Sequence, residues 1–349
     1  MMFSNVTILK NRGFAHSLHA QTIFLIKRPI HYNNFMELVD KKGIYVVDAE
    51  YFQAELAAIH LVRSKDRLAI IDSGTQHSVK NVSLALETLE LNYSNVDYII
   101  LTHIHLDHAG GASALMDLCP NAKLVVHPRG ARHMADPTKL IAGSKAVYGE
   151  TQFKRLYGEI RPIDEARIVE TSDGFKLDFG QRELAFIDTP GHASHHHCIY
   201  DKHSESMFTG DTLGVCYRAL RNKDHSFILP TTTPVQFNPD ALHESIDKVM
   251  AFAPKTLYLT HYSKVTPTAR MIAGLHEQID DLVMLTEQAF ENSDTAEKKL
   301  KQSVEDYLVN RCCNELKDLS EDVARQWLTL DAQLNAQGLA FWWQHKRTA

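Results

Sequence analysis

Leu101-Thr102-His103-Ile104-His105-Leu106-Asp107-His108-Ala109-Gly110-Gly111 puts four metal-capable side chains, His103, His105, Asp107 and His108, within six consecutive residues. The run follows Asp97-Tyr98-Ile99-Ile100, whose β-branched and aromatic residues read as a buried strand, so the four gather where a strand ends. Two imidazoles two residues apart project to one side of the chain and suit a single divalent ion. Asp107 and His108 can turn toward a second ion. The two glycines let a helix start close against the site. A solvated His-rich loop would show the same composition, and what separates the readings lies further along the chain.

Three later stretches each set one more ligand type just after an apolar, strand-like run: Asp188-Thr189-Pro190-Gly191-His192, Thr209-Gly210-Asp211 and Leu259-Thr260-His261. With the His-x-His-x-Asp-His run, these residues resemble the metallo-β-lactamase-fold hydrolases, the superfamily of glyoxalase II and the metallo-lactonases, over roughly residues 43 to 262. The resemblance implies an α/β fold, the αββα sandwich. It implies one metal held by His103, His105 and His192, a second by Asp107, His108 and His261, and Asp211 bridging the two. It also implies that Asp72, in Asp72-Ser73-Gly74, supports a ligand from behind.

The activity so implied is dinuclear, metal-dependent hydrolysis, in which a hydroxide between two divalent ions attacks an ester, lactone or thioester. Zinc is the expected metal, with iron or manganese able to occupy the same His and Asp donors. Asp107 is a candidate to guide the proton. Tyr217, six residues after Asp211, is a candidate oxyanion donor, at an offset that differs from the usual lactonase tyrosine. Asp rather than Cys at 211 departs from the common metallo-β-lactamase zinc site. Phosphodiester or organophosphate hydrolysis, a sulfur dioxygenase-like iron enzyme and a ligand-binding regulatory protein on the same fold stay open as alternatives.

Composition narrows the classes. The 349 residues carry 37 Lys and Arg against 43 Asp and Glu, a net charge of -6, which argues against a phosphate-neutralising nucleic-acid surface. Twenty histidines fit a metalloprotein. Five cysteines, Cys119, Cys198, Cys216, Cys312 and Cys313, form no CxxC pair and leave an odd count, which fits a reducing cytoplasm better than a disulfide framework. With no apolar run of membrane-spanning length, the expected partner is a small-molecule substrate rather than nucleic acid or membrane.

The chain divides at 42 and 262. Residues 1–42 read as an N-terminal extension, since 1–36 hold no acidic residue and carry Lys10, Arg12, Lys27 and Arg28. Residues 43–262 form the hydrolase domain, in which 129–162 read as a helical insertion and the first candidate for substrate selection. The His195-His196-His197 run heads into a strand, and all three are taken as non-ligands. Residues 263–349 read as helical, with stripes at Ile272, Leu275, Ile279, Leu282 and at Val323, Trp327, Leu330, Leu334. Trp342 and Trp343 need cover, from the main domain or from a second subunit in a homodimer.

Overall fold

The computed structural model describes residues 35–223, 225–232, 235–291 and 295–346. The first 34 residues of the expected extension lie outside that range.

The short apolar runs become two sheets. The first holds β1 (Met36–Asp40), β2 (Ile44–Asp48), β3 (Ala58–Ser64), β4 (Arg67–Ile71), β5 (Val96–Ile100), β6 (Lys123–Val126) and β7 (Ile168–Glu170), side by side in chain order. Pairing is antiparallel through β4 and parallel from β4 to β7. The second holds β8 (Lys176–Phe179), β9 (Arg182–Asp188), β10 (His197–Asp201), β11 (Ser206–Gly210), β12 (Thr256–Leu259) and β13 (Ser263–Val265), again in chain order. Only β11 and β12 pair parallel there.

Alternation sorts the side chains of each strand to opposite faces. Ile44, Val46, Ala69, Ile71, Ile100 and Val125 of the first sheet meet Leu184, Phe186, Ile199, Phe208 and Tyr258 of the second in one dry layer. Val47, Ile59, Leu61, Leu68, Ile70 and Ile99 face outward into a separate core. That outer core is covered by α1 (Val79–Thr88) and, after the one-turn α2 (Leu106–Ala109), by α3 (Ala112–Leu118). Strands covered on both faces need apolar residues at nearly every position, which is why they read as continuous runs.

The insertion is three helices, α4 (Pro128–Ala135), α5 (Thr138–Tyr148) and α6 (Glu150–Tyr157). Helix α7 (Pro239–Met250) packs on the second sheet. The C-terminal layer is α8 (Ala269–Glu291), α9 (Ala296–Glu315) and α10 (Glu321–Lys346).

Both expected boundaries shift because sheet edges extend past them. Residues 36–40, assigned to the extension, are the edge strand β1, paired to β2. Residues 263–265, assigned to the helical region, are β13, paired to β12. The α10 stripe is also rotated from the expected one: Leu330 is 39% exposed, while Ala324, Trp327, Leu328, Ala332 and Asn335 are buried.

Candidate metal centre

Five strands end at one edge of the sandwich, and each hands a polar side chain to the same place. β4 and β5 are parallel, β11 and β12 are parallel, and β9 and β11 both lie antiparallel to β10, so within each sheet these ends point the same way. β5 leads into the His103–His108 turn, in which α2 rotates Asp107 and His108 inward. Ser73 N donates to His108 O at 2.7 Å and Gly111 N to Gly74 O at 2.9 Å, pressing this turn onto the end of β4. A Cβ on Gly111 would stand 2.5 Å from Ser73 O, so only glycine permits the approach.

The seven donors converge as two groups. His105 Nδ1 lies 2.8 Å from His103 Nε2 and 3.1 Å from His192 Nε2. Asp107 Oδ2 lies 3.8 Å from His108 Nε2 and 3.5 Å from His261 Nε2. Asp211 stands between the groups: Oδ1 is 3.4 Å from His108 Nε2 and 3.7 Å from His261 Nε2, and Oδ2 is 3.5 Å from His192 Nε2. Within each of the sets His103/His105/His192, His103/His108/Asp211 and Asp107/His108/His261, the ligand atoms all lie within 4.8 Å of one another.

These residues fit a divalent cation on their own chemistry. His108 Nε2 and Asp211 Oδ1 are fully buried without a hydrogen-bond partner. Leaving such groups unpaired costs about 1–3 kcal/mol each, and a cation between them would satisfy both.

The outward nitrogens are anchored, which fixes which nitrogen faces the centre. Asp72 Oδ2 accepts from His108 Nδ1 at 2.9 Å, while the same carboxylate accepts from Thr102 N and from the hydroxyls of Thr102 and Thr260. His261 Nδ1 donates to Leu56 O at 2.7 Å. His192 Nδ1 meets the Thr231 hydroxyl at 2.9 Å. The His195-His196-His197 run behaves differently from a strand, because β10 begins only at His197 and the two-residue period does not reach its neighbours. The His195 ring lies 5.5 Å from that of His105, and His196 Nε2 accepts from Asp211 N at 3.1 Å. His197 is buried against Thr171. None of the three joins a converging donor group among the described residues.

Electrostatics divide the cluster. Burial, reinforced by neighbouring imidazoles, holds His103 well below the usual histidine range and His105 at about 3. Burial also lowers His108 and His261, but the carboxylates around them outweigh it and raise both. Burial alone would raise Asp107, yet His108 and His261 bring it down to about 2. The centre is thus arranged to hold positive charge beside Asp72, Asp107 and Asp211.

Tyr217 reaches the same neighbourhood from the loop after β11. Burial, then Asp331, Asp211 and Asp107, raise its phenol well above the ordinary value. Its hydroxyl donates to Asp331 Oδ1 at 3.2 Å, and its ring lies 5.2 Å from that of Trp327. Burial pushes Asp331 up to about 7, with His261 pulling it down.

Three residues near the centre, Asp331, Asn335 and Tyr51, are not marked out by the sequence. Asp331 and Asn335 interrupt the inward stripe of α10 four and eight residues after Trp327, and polar residues on such a stripe are the signal available for them. Tyr51 sits in a loop where no periodicity marks it, whereas the Pro230-Thr231-Thr232-Thr233-Pro234 stretch that carries Thr231 reads, from the proline at each end, as a stiffened pocket wall.

The family model described as the metallo-beta-lactamase superfamily matches residues 55–261. A metallo-beta-lactamase fold-containing protein of Sulfurisphaera tokodaii is 26% identical over 217 residues, 61% of this chain and 75% of that protein. A hydroxyacylglutathione hydrolase of Psychromonas ingrahamii is 27% identical over 249 residues, 64% of this chain and 83% of the relative. Among solved structures, an archaeal superfamily protein from Sulfolobus tokodaii superposes with a TM-score of 0.60 at 21% identity, covering 86% of this chain and 99% of that one. A family protein from Thermus thermophilus gives 0.60 at 16% identity, covering 87% and 94%.

Proposed function

Because the chain belongs to the metallo-beta-lactamase superfamily, we propose that this metal-dependent hydrolase uses a dinuclear centre to cleave an ester, lactone or thioester bond. The observation that carries the reading is the convergence of all seven donors, with Asp211 standing between two groups of three. Divalent ions bound there, zinc in this reading, would supply an activated water and a Lewis acid for the substrate oxygen.

The chain's own residues do the rest. His103, His105 and His192 form one nitrogen-rich face, and Asp107, His108 and His261 the other. Asp107, kept ionised between His108 and His261, offers its carboxylate oxygen as the acceptor for the proton of the attacking water. Tyr217 presents its phenol beside Asp211 and Asp107, its hydrogen directed to Asp331. The hydroxyacylglutathione hydrolases among the relatives favour a carbonyl substrate over a phosphodiester. Five unpaired cysteines, four of them buried, support a reducing, cytoplasmic setting, and no helix among the described residues is long and apolar enough to cross a membrane.

Elemental analysis of the purified protein, combined with a turnover screen, tests the proposal. Two divalent ions per chain with hydrolysis of lactone, ester or thioester substrates is the expected result. A fully metallated protein that turns over phosphodiesters alone would refute it.

A further inference from the structure

His243 and His276, two histidines that the metal centre does not use, meet across the seam between α7 and α8. Each has an aspartate four residues further along its own helix, Asp247 and Asp280. The pairing crosses over: His243 Nε2 lies 3.2 Å from Asp280 Oδ1, and His276 Nε2 lies 3.3 Å from Asp247 Oδ1. A carboxylate accepts from an imidazole N–H, so both Nε2 atoms carry hydrogen and each neutral ring keeps its lone pair on Nδ1.

Those two Nδ1 atoms are 2.6 Å apart. The ring planes differ by 7°, and the centroids are 4.9 Å apart. That separation matches the gap between the nitrogens plus one ring radius from each side. The nitrogens therefore lie on the line joining the ring centres, and the lone pairs point at each other. Facing lone pairs repel, and a cation between them turns the repulsion into attraction.

The setting suits a metal ion. Leu242, Ser245 and Ile246 of α7 and Leu275 and Ile279 of α8 are buried beside the pair, so packing fixes both backbones. The imidazoles themselves are 24% and 25% exposed, which leaves one side where water can complete a coordination shell. Imidazole nitrogen selects zinc, copper or nickel over magnesium or calcium. A carboxylate on the far nitrogen is the usual means of orienting a metal-bound histidine, and here both rings have one. Tetrahedral zinc, with bonds of about 2.0–2.1 Å, asks for nitrogens roughly 3.3 Å apart. A small rotation of the two half-buried side chains supplies the difference.

We propose that His243 and His276 hold a transition-metal ion of the zinc, copper or nickel class through their Nδ1 atoms, with Asp280 and Asp247 orienting the rings. This ion uses none of the seven donors of the other centre. It pins α8, the first helix of the C-terminal layer, to α7.

The test is equilibrium dialysis against micromolar zinc followed by elemental analysis, on the unsubstituted chain, His243→Gln, His276→Gln and the double variant Asp247→Asn/Asp280→Asn. The expected result is one zinc fewer per chain in each histidine variant. In the asparagine variant this zinc should bind about 10- to 100-fold more weakly, since the rings lose their anchors. Zinc should also raise the Tm of the unsubstituted chain further than that of either histidine variant, and metal-free melts check that every variant is folded. Equal zinc content in the unsubstituted chain and either histidine variant overturns the site and leaves a shared proton as the cation between the rings. The readout is a difference of one ion, so failure of the dinuclear reading looks different: it lowers the zinc content of all four proteins alike.

Discussion

At the scale of single residues, Asp72 concentrates the most consequence in one side chain. It lies 1% exposed with φ 56°, and its carboxylate accepts from His108 Nδ1, from Thr102 and from Thr260, tying together the ends of β4, β5 and β12. Asp72→Ala would free His108 to turn and leave several donors unpaired. Metal affinity should fall about 10- to 100-fold, the usual loss when a ligand's outer partner is removed, and competition with a chelator would measure it. His60 sets a pH limit instead. It is buried between Phe208 and Tyr258, and burial lowers its pKa to about 4, with Asp72 opposing. As pH falls, the unfolded chain takes up this proton near 6.5 and the folded chain only near 4. The fold therefore loses stability across that window, by roughly 3 kcal/mol from this residue. Denaturant unfolding of His60→Gln at pH 7 and pH 4.5 should show a smaller acid loss than the unsubstituted protein, and equal losses would contradict the assignment.

At the scale of elements, α10 acts on the centre through one amide. Asn335 Oδ1 accepts from Thr232 N at 2.8 Å, and its Nδ2 donates to Pro230 O at 2.9 Å. The loop so held presents Thr231 to His192 Nδ1 and to the backbone oxygen of Asp211. Asn335→Ala would strand two buried backbone groups, with a cost of about 1–3 kcal/mol each in stability. Metal affinity should fall as well, although the residue touches no proposed ligand, and thermal melts with and without metal separate the two effects. This arrangement also shows where legibility stops. The His103–His108 run is readable because its donors are neighbours in sequence. His192, Asp211 and His261 are readable because each repeats one device, an apolar strand followed by a ligand. Tyr51 and Tyr157 are 106 residues apart, and Thr232 and Asn335 are 103 apart. Nothing local pairs them, so their contact is a product of tertiary packing. The α10 stripe failed for a related reason: Leu330 suggested one face, while small Ala324 and Ala332 let the helix pack closely on another.

At the scale of the whole molecule, the three C-terminal helices complete the centre that the sandwich begins. Tyr217 packs at a tilt against Trp327, Phe237 lies 6.2 Å from Trp342, and Gln278 donates to Ile228 O, so the layer is joined to the loop after β11 at several points. A chain truncated after Thr268 keeps β13 and all seven proposed donors yet uncovers these surfaces. It should aggregate more readily and lose most of its activity, which light scattering and turnover would register. The order of synthesis gives this layout a temporal meaning. Every proposed ligand has been made once the ribosome passes His261, whereas Asp331 and Asn335 are added 70 and 74 residues later. At ordinary elongation rates the interval is on the order of ten seconds. During that time the nascent chain carries a donor set able to capture a metal but still lacking α10. Ribosome-bound chains stalled shortly before and shortly after α10 emerges should therefore differ in how fast a small chelator strips their metal, with the longer chain protected.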